Sequence, residues 1–246
     1  MAADRETSRD MEKTNKRLLK YSMKGKWEKV VEMYEKDGRK AHTARITRSG
    51  DTALHVAIID GQDDVVQRLV KLICSEALRI QNERGNTALH FAASMGRVQT
   101  CECIASAKAS LLSVRNVDGE TPLFLAALHG RKEAFLCLHY IHVNLTHPKP
   151  SNYYSNCRRN DGDTILHSAI ARDYFDLAFQ IIHLYEDLVN WVNECGFSPL
   201  HLLASKPSAF RSGSRLGRLE MIVYHGKFLG EFIPTRLLQQ TFITYF

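Results

Sequence analysis

The sequence predicts an all-α solenoid of stacked helix-turn-helix units with hairpin-like turns, running for about six repeats. Three observations carry this reading. One phrase recurs five times: Gly50-Asp51-Thr52-Ala53-Leu54-His55, Gly85-Asn86-Thr87-Ala88-Leu89-His90, Gly119-Glu120-Thr121-Pro122-Leu123-Phe124, Gly162-Asp163-Thr164-Ile165-Leu166-His167 and Gly196-Phe197-Ser198-Pro199-Leu200-His201. Its glycines are spaced by 35, 34, 43 and 34 residues. Between the phrases, apolar residues recur at helical spacing. A unit repeated at this period cannot bury both its faces alone, so neighbours must stack to make a core.

Each position in the phrase has a physical reason. The glycine permits the positive φ of a tight turn. Thr or Ser two residues on supplies a hydroxyl to cap a helix start. Pro122 and Pro199 fall at the first helical position, where a missing N–H costs nothing. The leucines lie on the inner side of this first helix. Ala57, Ala92, Ala126, Ala169 and Ala204 are small enough for neighbouring helices to approach. Gly61, Gly96 and Gly130 then turn the chain, with Asp173 in that place in the fifth repeat. A second helix follows, marked by Val65, Val66, Leu69, Val70 and Ile73, by Val98, Cys101 and Ile104, and by Leu177, Ala178, Ile181, Ile182 and Tyr185.

The first repeat is degenerate. Leu18, Leu19, Tyr21 and Met23 form its first helix, Gly25 its turn, and Trp27, Val30, Val31 and Tyr34 its second. It lacks the phrase, as terminal caps often do. The boundaries are a disordered tail at 1–13, a repeat domain at 14–225 and a divergent tail at 226–246. The repeats run 14–48, 49–83, 84–117, 118–160, 161–194 and 195–225. The fourth carries an inserted loop at 143–160, which holds Pro148, Pro150, Ser151 and Asn152.

Composition narrows the class. No stretch approaches the roughly 18 consecutive apolar residues of a membrane span. The charged start, Met1 to Glu6, lacks the apolar core of a secretory signal. The chain as given reads as cytoplasmic or nuclear, and its six cysteines as reduced. The stack reads as a monomer. Basic ends flank an acidic middle: residues 1–48 hold 14 Lys/Arg against 8 Asp/Glu, 49–205 hold 13 against 17, and 206–246 hold 6 against 2. Such ends either form solvated caps or attract nucleic acid or anionic lipid.

No catalytic residue, cofactor or metal is expected. His55, His90, His167 and His201 sit at equivalent points of successive repeats, about 10 Å apart, too far to share a metal. They are expected to hydrogen-bond between adjacent turns. Phe124 takes the histidine's place in the fourth repeat, which a ligand set would not tolerate. His129, His139, His142 and His147 cluster before the insertion and read as a histidine-rich surface, because zinc would need a fourth ligand and a fixed geometry. Tyr153, Tyr154, Arg158 and Arg159 mix aromatic and basic groups, as nucleic-acid surfaces and partner-docking loops both do. No phosphate loop, nucleophile elbow or His-Glu-x-x-His helix is present.

The period and the Thr-Pro-Leu-His-x-Ala core resemble the ankyrin repeat. Within that class, the stretch Ser198-Pro199-Leu200-His201-Leu202-Leu203-Ala204-Ser205-Lys206-Pro207-Ser208-Ala209-Phe210-Arg211-Ser212-Gly213-Ser214 resembles the plant ankyrin-repeat membrane proteins that carry a C-terminal Pro-Gly-Gly domain. Asn15 and Leu18 through Trp27-Glu28-Lys29-Val30 resemble that family's opening repeat. The resemblance implies a non-enzymatic interaction scaffold in stress or defence signalling, at the cytoplasmic face of a membrane such as the plasma membrane. The family's Pro-Gly-Gly domain and membrane spans have no counterpart in this sequence. The resemblance also implies partner docking on the turn tips and the concave face of the short helices. In this chain those positions are Arg48, Ser49, Asp51, Ile59 and Asp60; Glu83, Arg84, Asn86, Ser94 and Met95; Val117, Asp118, Glu120, Leu128 and His129; and Asn160, Asp161, Asp163 and Arg172. Ile59, Met95, Val117 and Leu128 would form an apolar stripe with a charged rim. The expected partners are proteins rather than small molecules, with anionic membrane or nucleic acid as the alternative.

Overall fold

The computed structural model describes residues 2–145, 154–206 and Ala209. The chain divides into two compact units, Met1–Asn160 and Asp161–Phe246. In the first unit, α1 (Ala2–Met23), α2 (Trp27–Asp37) and the short α3 (Arg39–His42) form the opening cap. Three helix pairs follow: α4 (Ala53–Ile59) with α5 (Asp63–Leu72), α6 (Ala88–Met95) with α7 (Val98–Ala107), and α8 (Pro122–Leu128) with α9 (Lys132–Leu145). The second unit holds α10 (Ile165–Ala171), α11 (Phe175–Leu184) and α12 (Pro199–Ala204). The described residues contain helices, turns and one isolated bridge, with no extended strand. No described helix is long and apolar enough to cross a membrane.

Two layers result within the first unit. The short inner helices α4, α6 and α8 pack side by side, and so do the outer helices α5, α7 and α9. Inner helices of seven or eight residues are far below the length at which an isolated helix persists in water. Their stability is therefore tertiary. Ala57, Ala92 and Ala126 are fully buried and let adjacent inner helices approach, while Leu54, Leu89 and Leu123 fill the space between them. Short 3-10 turns at Ala77–Arg79, Ala109–Ser113 and, in the second unit, Glu186–Asn190 lead from each outer helix to the next hairpin. Leu78, Leu111, Leu112 and Leu188 anchor these turns in the core.

The turn chemistry matches the sequence reading. Gly50, Gly85, Gly119, Gly162 and Gly196 all have positive φ, and so do Gly61, Gly96 and Gly130. Asp173 is the one non-glycine described residue with positive φ, at 63°, in the place those last three glycines hold. Asp is one of the few side chains that tolerate this region, because it bonds locally. Here its carboxylate accepts from Lys206 Nζ at 2.6 Å, and the same ammonium also donates to the Ala171 carbonyl.

Two boundaries differ from the sequence reading. The segment expected to be a disordered tail, residues 1–13, is helical from Ala2 onward as part of α1. Neither glycine nor proline interrupts the chain before Gly25, and good helix formers dominate the segment. The inserted loop expected at 143–160 is shorter at both ends. Helix α9 continues through Leu145, and Ser155–Cys157 forms a 3-10 turn with Asn156 and Cys157 buried. Residues 146–153, including His147 and Tyr153, lie outside the described residues.

Gly85 and Gly25 separate two costs of losing a glycine. A Cβ at Gly85 would lie 2.8 Å from the Val117 amide nitrogen and 2.9 Å from Asn116 Cα, whereas one at Gly25 would meet nothing within 4 Å. Both have positive φ. We predict that Gly25→Ala costs about 1 kcal/mol in urea unfolding, the conformational term alone. Gly85→Ala should cost about 3 kcal/mol, because the next hairpin must also move. Equal losses would contradict this placement of the turn.

Candidate interaction surface

The surface is organised by ladders of hydrogen bonds between consecutive hairpins. The first is backbone only. The amide two residues before each turn glycine donates to the carbonyl just before the previous one: Glu83 to Ser49 at 2.9 Å, Val117 to Arg84 at 3.0 Å, Asn160 to Asp118 at 3.0 Å and Glu194 to Asp161 at 3.1 Å.

A second ladder uses asparagine three residues before the glycine. Asn82 Oδ1 accepts the Arg84 and Asn86 amides and so closes its own turn. Its Nδ2 donates to Asp51 Oδ1 of the preceding hairpin at 2.8 Å. Asn116 repeats this, accepting from Asp118 and Glu120 and donating to Asn86 Oδ1 at 3.1 Å. Asn193 does the same, donating to Asp163 Oδ1 at 2.9 Å. A third ladder runs one residue earlier. Gln81 Nε2 bridges the Gly85 and Arg115 carbonyls, and Arg115 in turn bridges those of Gly119 and Arg158.

The histidines make the fourth and most buried set. The Thr52 amide donates to His55 Nδ1 at 3.2 Å, and the Thr52 hydroxyl lies 2.8 Å from the same nitrogen. A backbone N–H can only donate, so Nδ1 is an acceptor and the ring proton sits on Nε2. Nε2–H then donates to the Asn86 carbonyl of the next hairpin at 3.3 Å. His90 repeats this toward Glu120 at 3.2 Å, and His167 toward Phe197 at 2.9 Å, each taking its own Thr amide on Nδ1. Burial holds His55 and His90 at about 4, well below the ordinary imidazole value of 6.5. Both are neutral at pH 7, as the acceptor role of Nδ1 requires. The work the sequence assigned to these histidines, bonding between adjacent turns, is what their geometry performs.

Phe124 breaks the set, and its neighbours make up the difference. The Thr121 hydroxyl, with no imidazole to meet, donates to the Asn156 carbonyl at 2.7 Å while accepting the Phe124 amide. Arg159 stands in the place of the ladder asparagine. It pairs with Glu120 at 3.7 Å and lies 5.9 Å over the Phe124 ring. Arg159 therefore makes contacts inside the stack.

These ladders sort the candidate contact residues. Asp51 and Glu120 are each 6% exposed, so they are not surface groups. Burial disfavours the Asp51 charge, but bonds from Ser49, Asn82 and Thr47 outweigh it and hold its carboxyl below the ordinary range. Asn86 and Asp163, half-buried, accept from the next asparagine. What remains outward at the hairpin tips is Arg48, Ser49, Glu83, Arg84, Val117 and Asp118, with Asn160 closing that unit and Asp161 opening the next. At the C-terminal ends of the inner helices stand Ile59 and Asp60, Ser94 and Met95, and Leu128 and His129, with Arg172 after α10. Ile59, Asp60, His129 and Arg172 are exposed; Ser94, Met95 and Leu128 are half-buried. Asp60 also accepts from Trp27 Nε1 at 3.2 Å. An inner helix of seven residues is about 10 Å long. Val117 thus belongs to the tips, a helix length from Ile59, Met95 and Leu128, and the expected single stripe is two patches.

The histidine-rich group also separates. His129 is exposed after α8, while His139 and His142 are buried along α9. Among the described residues, no three His, Cys, Asp or Glu side chains stand together to hold a metal. Asn82, Asn116 and Asn193 were not singled out from the sequence. Their signal was there, as an asparagine three residues before the glycine in three of the five phrases.

Comparison with known proteins agrees with this geometry. Residues 49–77 match the model of the ankyrin repeat, and 69–147 that of ankyrin repeats in three copies. The chain is 38% identical over 84 residues to NF-kappa-B inhibitor alpha of Rattus norvegicus, covering 32% of this chain and 26% of that protein. It is 38% identical over 80 residues to neurogenic locus notch homolog protein 1 of Mus musculus, covering 32% of this chain and 3% of that protein. The crystal structure of the ankyrin-repeat protein EF0377 superposes with a TM-score of 0.63 at 16% identity, over 76% of this chain and 90% of that one. The fold is the ankyrin-repeat fold.

The histidine set predicts an acid dependence. The unfolded chain titrates near 6.5 and the folded His55 and His90 near 4, so the unfolded state takes up protons first as pH falls. Their contribution is whole above pH 6.5 and lost between 6.5 and about 4. The urea midpoint should fall through that window. His90→Phe should lower the midpoint at pH 7.5 and flatten the fall; an unchanged pH profile in the variant would contradict the assignment.

Proposed function

We propose that this chain is a non-enzymatic protein–protein interaction scaffold. The observation that carries the reading is a division of labour at each hairpin. Buried side chains and backbone groups hold the register, while the two residues at each tip vary freely in charge and shape. In the first unit those tips read Arg48-Ser49, Glu83-Arg84 and Val117-Asp118. A partner tracking them meets basic, mixed and then apolar-acidic pairs. Ile59, Met95 and Leu128 offer an apolar centre at the far ends of the inner helices, and half-burial pre-orders Met95 and Leu128. Residues 14–225 form the interaction domain in this account.

The relatives support the class. One is by its name an inhibitor of NF-kappa-B. The resemblance of residues 198–214 to the plant Pro-Gly-Gly group supports a narrower reading: a docking arm in stress or defence signalling on the cytoplasmic side of a membrane. A second reading rests on the basic N-terminal cap. Helix α1 exposes Lys16, Arg17 and Lys20, and Lys16 pairs with Glu12 of its own helix at 2.6 Å. That face would bind anionic lipid or nucleic acid.

Affinity capture with the full chain as bait tests the first reading. Met95→Asp with Leu128→Asp should abolish capture of the proteins the parent retains, with helical circular dichroism unchanged. Tyr140→Asp, on the exposed side of outer helix α9, should leave capture intact. Equal loss in both variants would refute the assigned surface. For the second reading, binding to vesicles containing phosphatidylserine should weaken steeply with salt; indifference to such vesicles at low salt dismisses it.

A further inference from the structure

Folding redistributes the charge that the sequence counts average out. Residues 49–205 are acidic in sum, with 13 Lys/Arg against 17 Asp/Glu, yet the hairpin edge of the first unit is basic. Arg45, Arg48, Arg79, Arg84 and Arg115 are all exposed there, on three successive hairpins. The exposed carboxylates among them are Glu83 and Asp118. Asp51 and Glu120 are buried, and Glu120 is paired with Arg159.

Arg45, Arg79 and Arg115 stand in one row behind the tips. Arg45, Gln81 and Arg115 hold equivalent places, each donating to the carbonyl of the turn glycine that follows, Gly50, Gly85 and Gly119. Arg79 lies two residues before Gln81 with Ile80 extended between them, so both leave the chain on the same face. Arg48 and Arg84 flank the row at the tips. A carbonyl accepts the bond but leaves the guanidinium charge in place. Among the described residues, none of the five has a carboxylate at ion-pair distance, whereas Arg68 and Arg97 pair with Glu28 and Asp63. The row is positive charge fixed by the fold without a counter-charge from the fold.

Such an edge attracts a negative partner. The class of that partner follows from what stands among the arginines. A nucleic-acid backbone carries unbroken charge, and Glu83 and Asp118 would repel it. A polypeptide can place neutral or basic residues at those points. Val117, 66% exposed beside Asp118, offers contact to an aliphatic side chain and nothing to a phosphate. With hairpins about 10 Å apart, the row spans about 20 Å. That is the length of roughly six residues of extended chain, at about 3.3 Å each.

We infer that the hairpin edge from Arg45 to Arg115 binds an acidic, extended polypeptide segment of the partner, with an aliphatic side chain on Val117. The inference rests on the scaffold reading and deepens it by giving the partner a charge. Ile59, Met95 and Leu128, a helix length away, lie outside this contact.

The test is selection of random dodecapeptides displayed on phage against the full chain, followed by fluorescence anisotropy of the peptides obtained. We expect those peptides to carry net negative charge. Their affinity should fall at least tenfold in the triple variant Arg48→Gln, Arg79→Gln and Arg84→Gln. Among the described residues these three guanidiniums bond to nothing, so thermal unfolding of the variant should match the parent. Lys16→Gln with Arg17→Gln and Lys20→Gln removes the same charge from α1 and should change affinity less than twofold. Equal losses in the two triple variants would overturn the inference, because the attraction would then be unspecific. Peptides without an excess of Asp and Glu would overturn it too. Peptides lost on Met95→Asp with Leu128→Asp, but held normally by the arginine variant, would overturn the acidic partner and keep the scaffold. A selection that enriches no peptide would count against both. Oligothymidylate bound more tightly than every selected peptide, and lost in the arginine variant, would overturn the inference in favour of nucleic acid.

Discussion

Everything in the array depends on a neutral, buried imidazole with its proton on Nε2. A repeat protein has contacts only between neighbours, so its register is set junction by junction. Shape alone would let one short helix slide against the next. His55, His90 and His167 remove that freedom by tying each helix start to its own threonine on one nitrogen and to the next hairpin on the other. Burial and bonding reinforce each other here. Desolvation disfavours the charged ring, and only the uncharged ring can accept from the threonine amide while donating onward.

The junction at Phe124 shows what this constraint demands. It is the polar accounting, not the histidine as such, that has to close. The freed hydroxyl finds the Asn156 carbonyl, and Arg159 replaces asparagine and covers the new aromatic ring. Two departures from the repeat at one junction are therefore one change. The same logic separates structure from function along the hairpins. Buried rungs are spent on register, and the tip residues between them are left to vary.

Much of this was legible in the sequence, because the phrase encodes local requirements. Glycine at positive φ, a hydroxyl at the helix start, proline at the first helical position and Asp173 in a glycine's place follow from backbone sterics and orphan amides, which a single chain displays. Less legible was which polar residues face a neighbour. Asp51 and Glu120 read as surface groups because they are charged and lie in a turn. Asp51 is bonded by an asparagine 31 residues on, and Glu120 is paired with Arg159, 39 residues on. Val117 read as part of one stripe with Met95 because both are apolar and outward; only the length of the inner helix separates them. The N-terminal helix and the true extent of the insertion depend on where helices stop, which composition marks poorly.

The most direct test of the account is the tautomer and titration of the three ladder histidines by long-range proton–nitrogen NMR. The account predicts an Nε2–H tautomer for His55, His90 and His167, with no titration of His55 or His90 above pH 5. An Nδ1–H tautomer, or a pKa near 6.5 for either residue, would contradict it. The inter-hairpin ladder would then have to be held by the asparagines and the backbone alone.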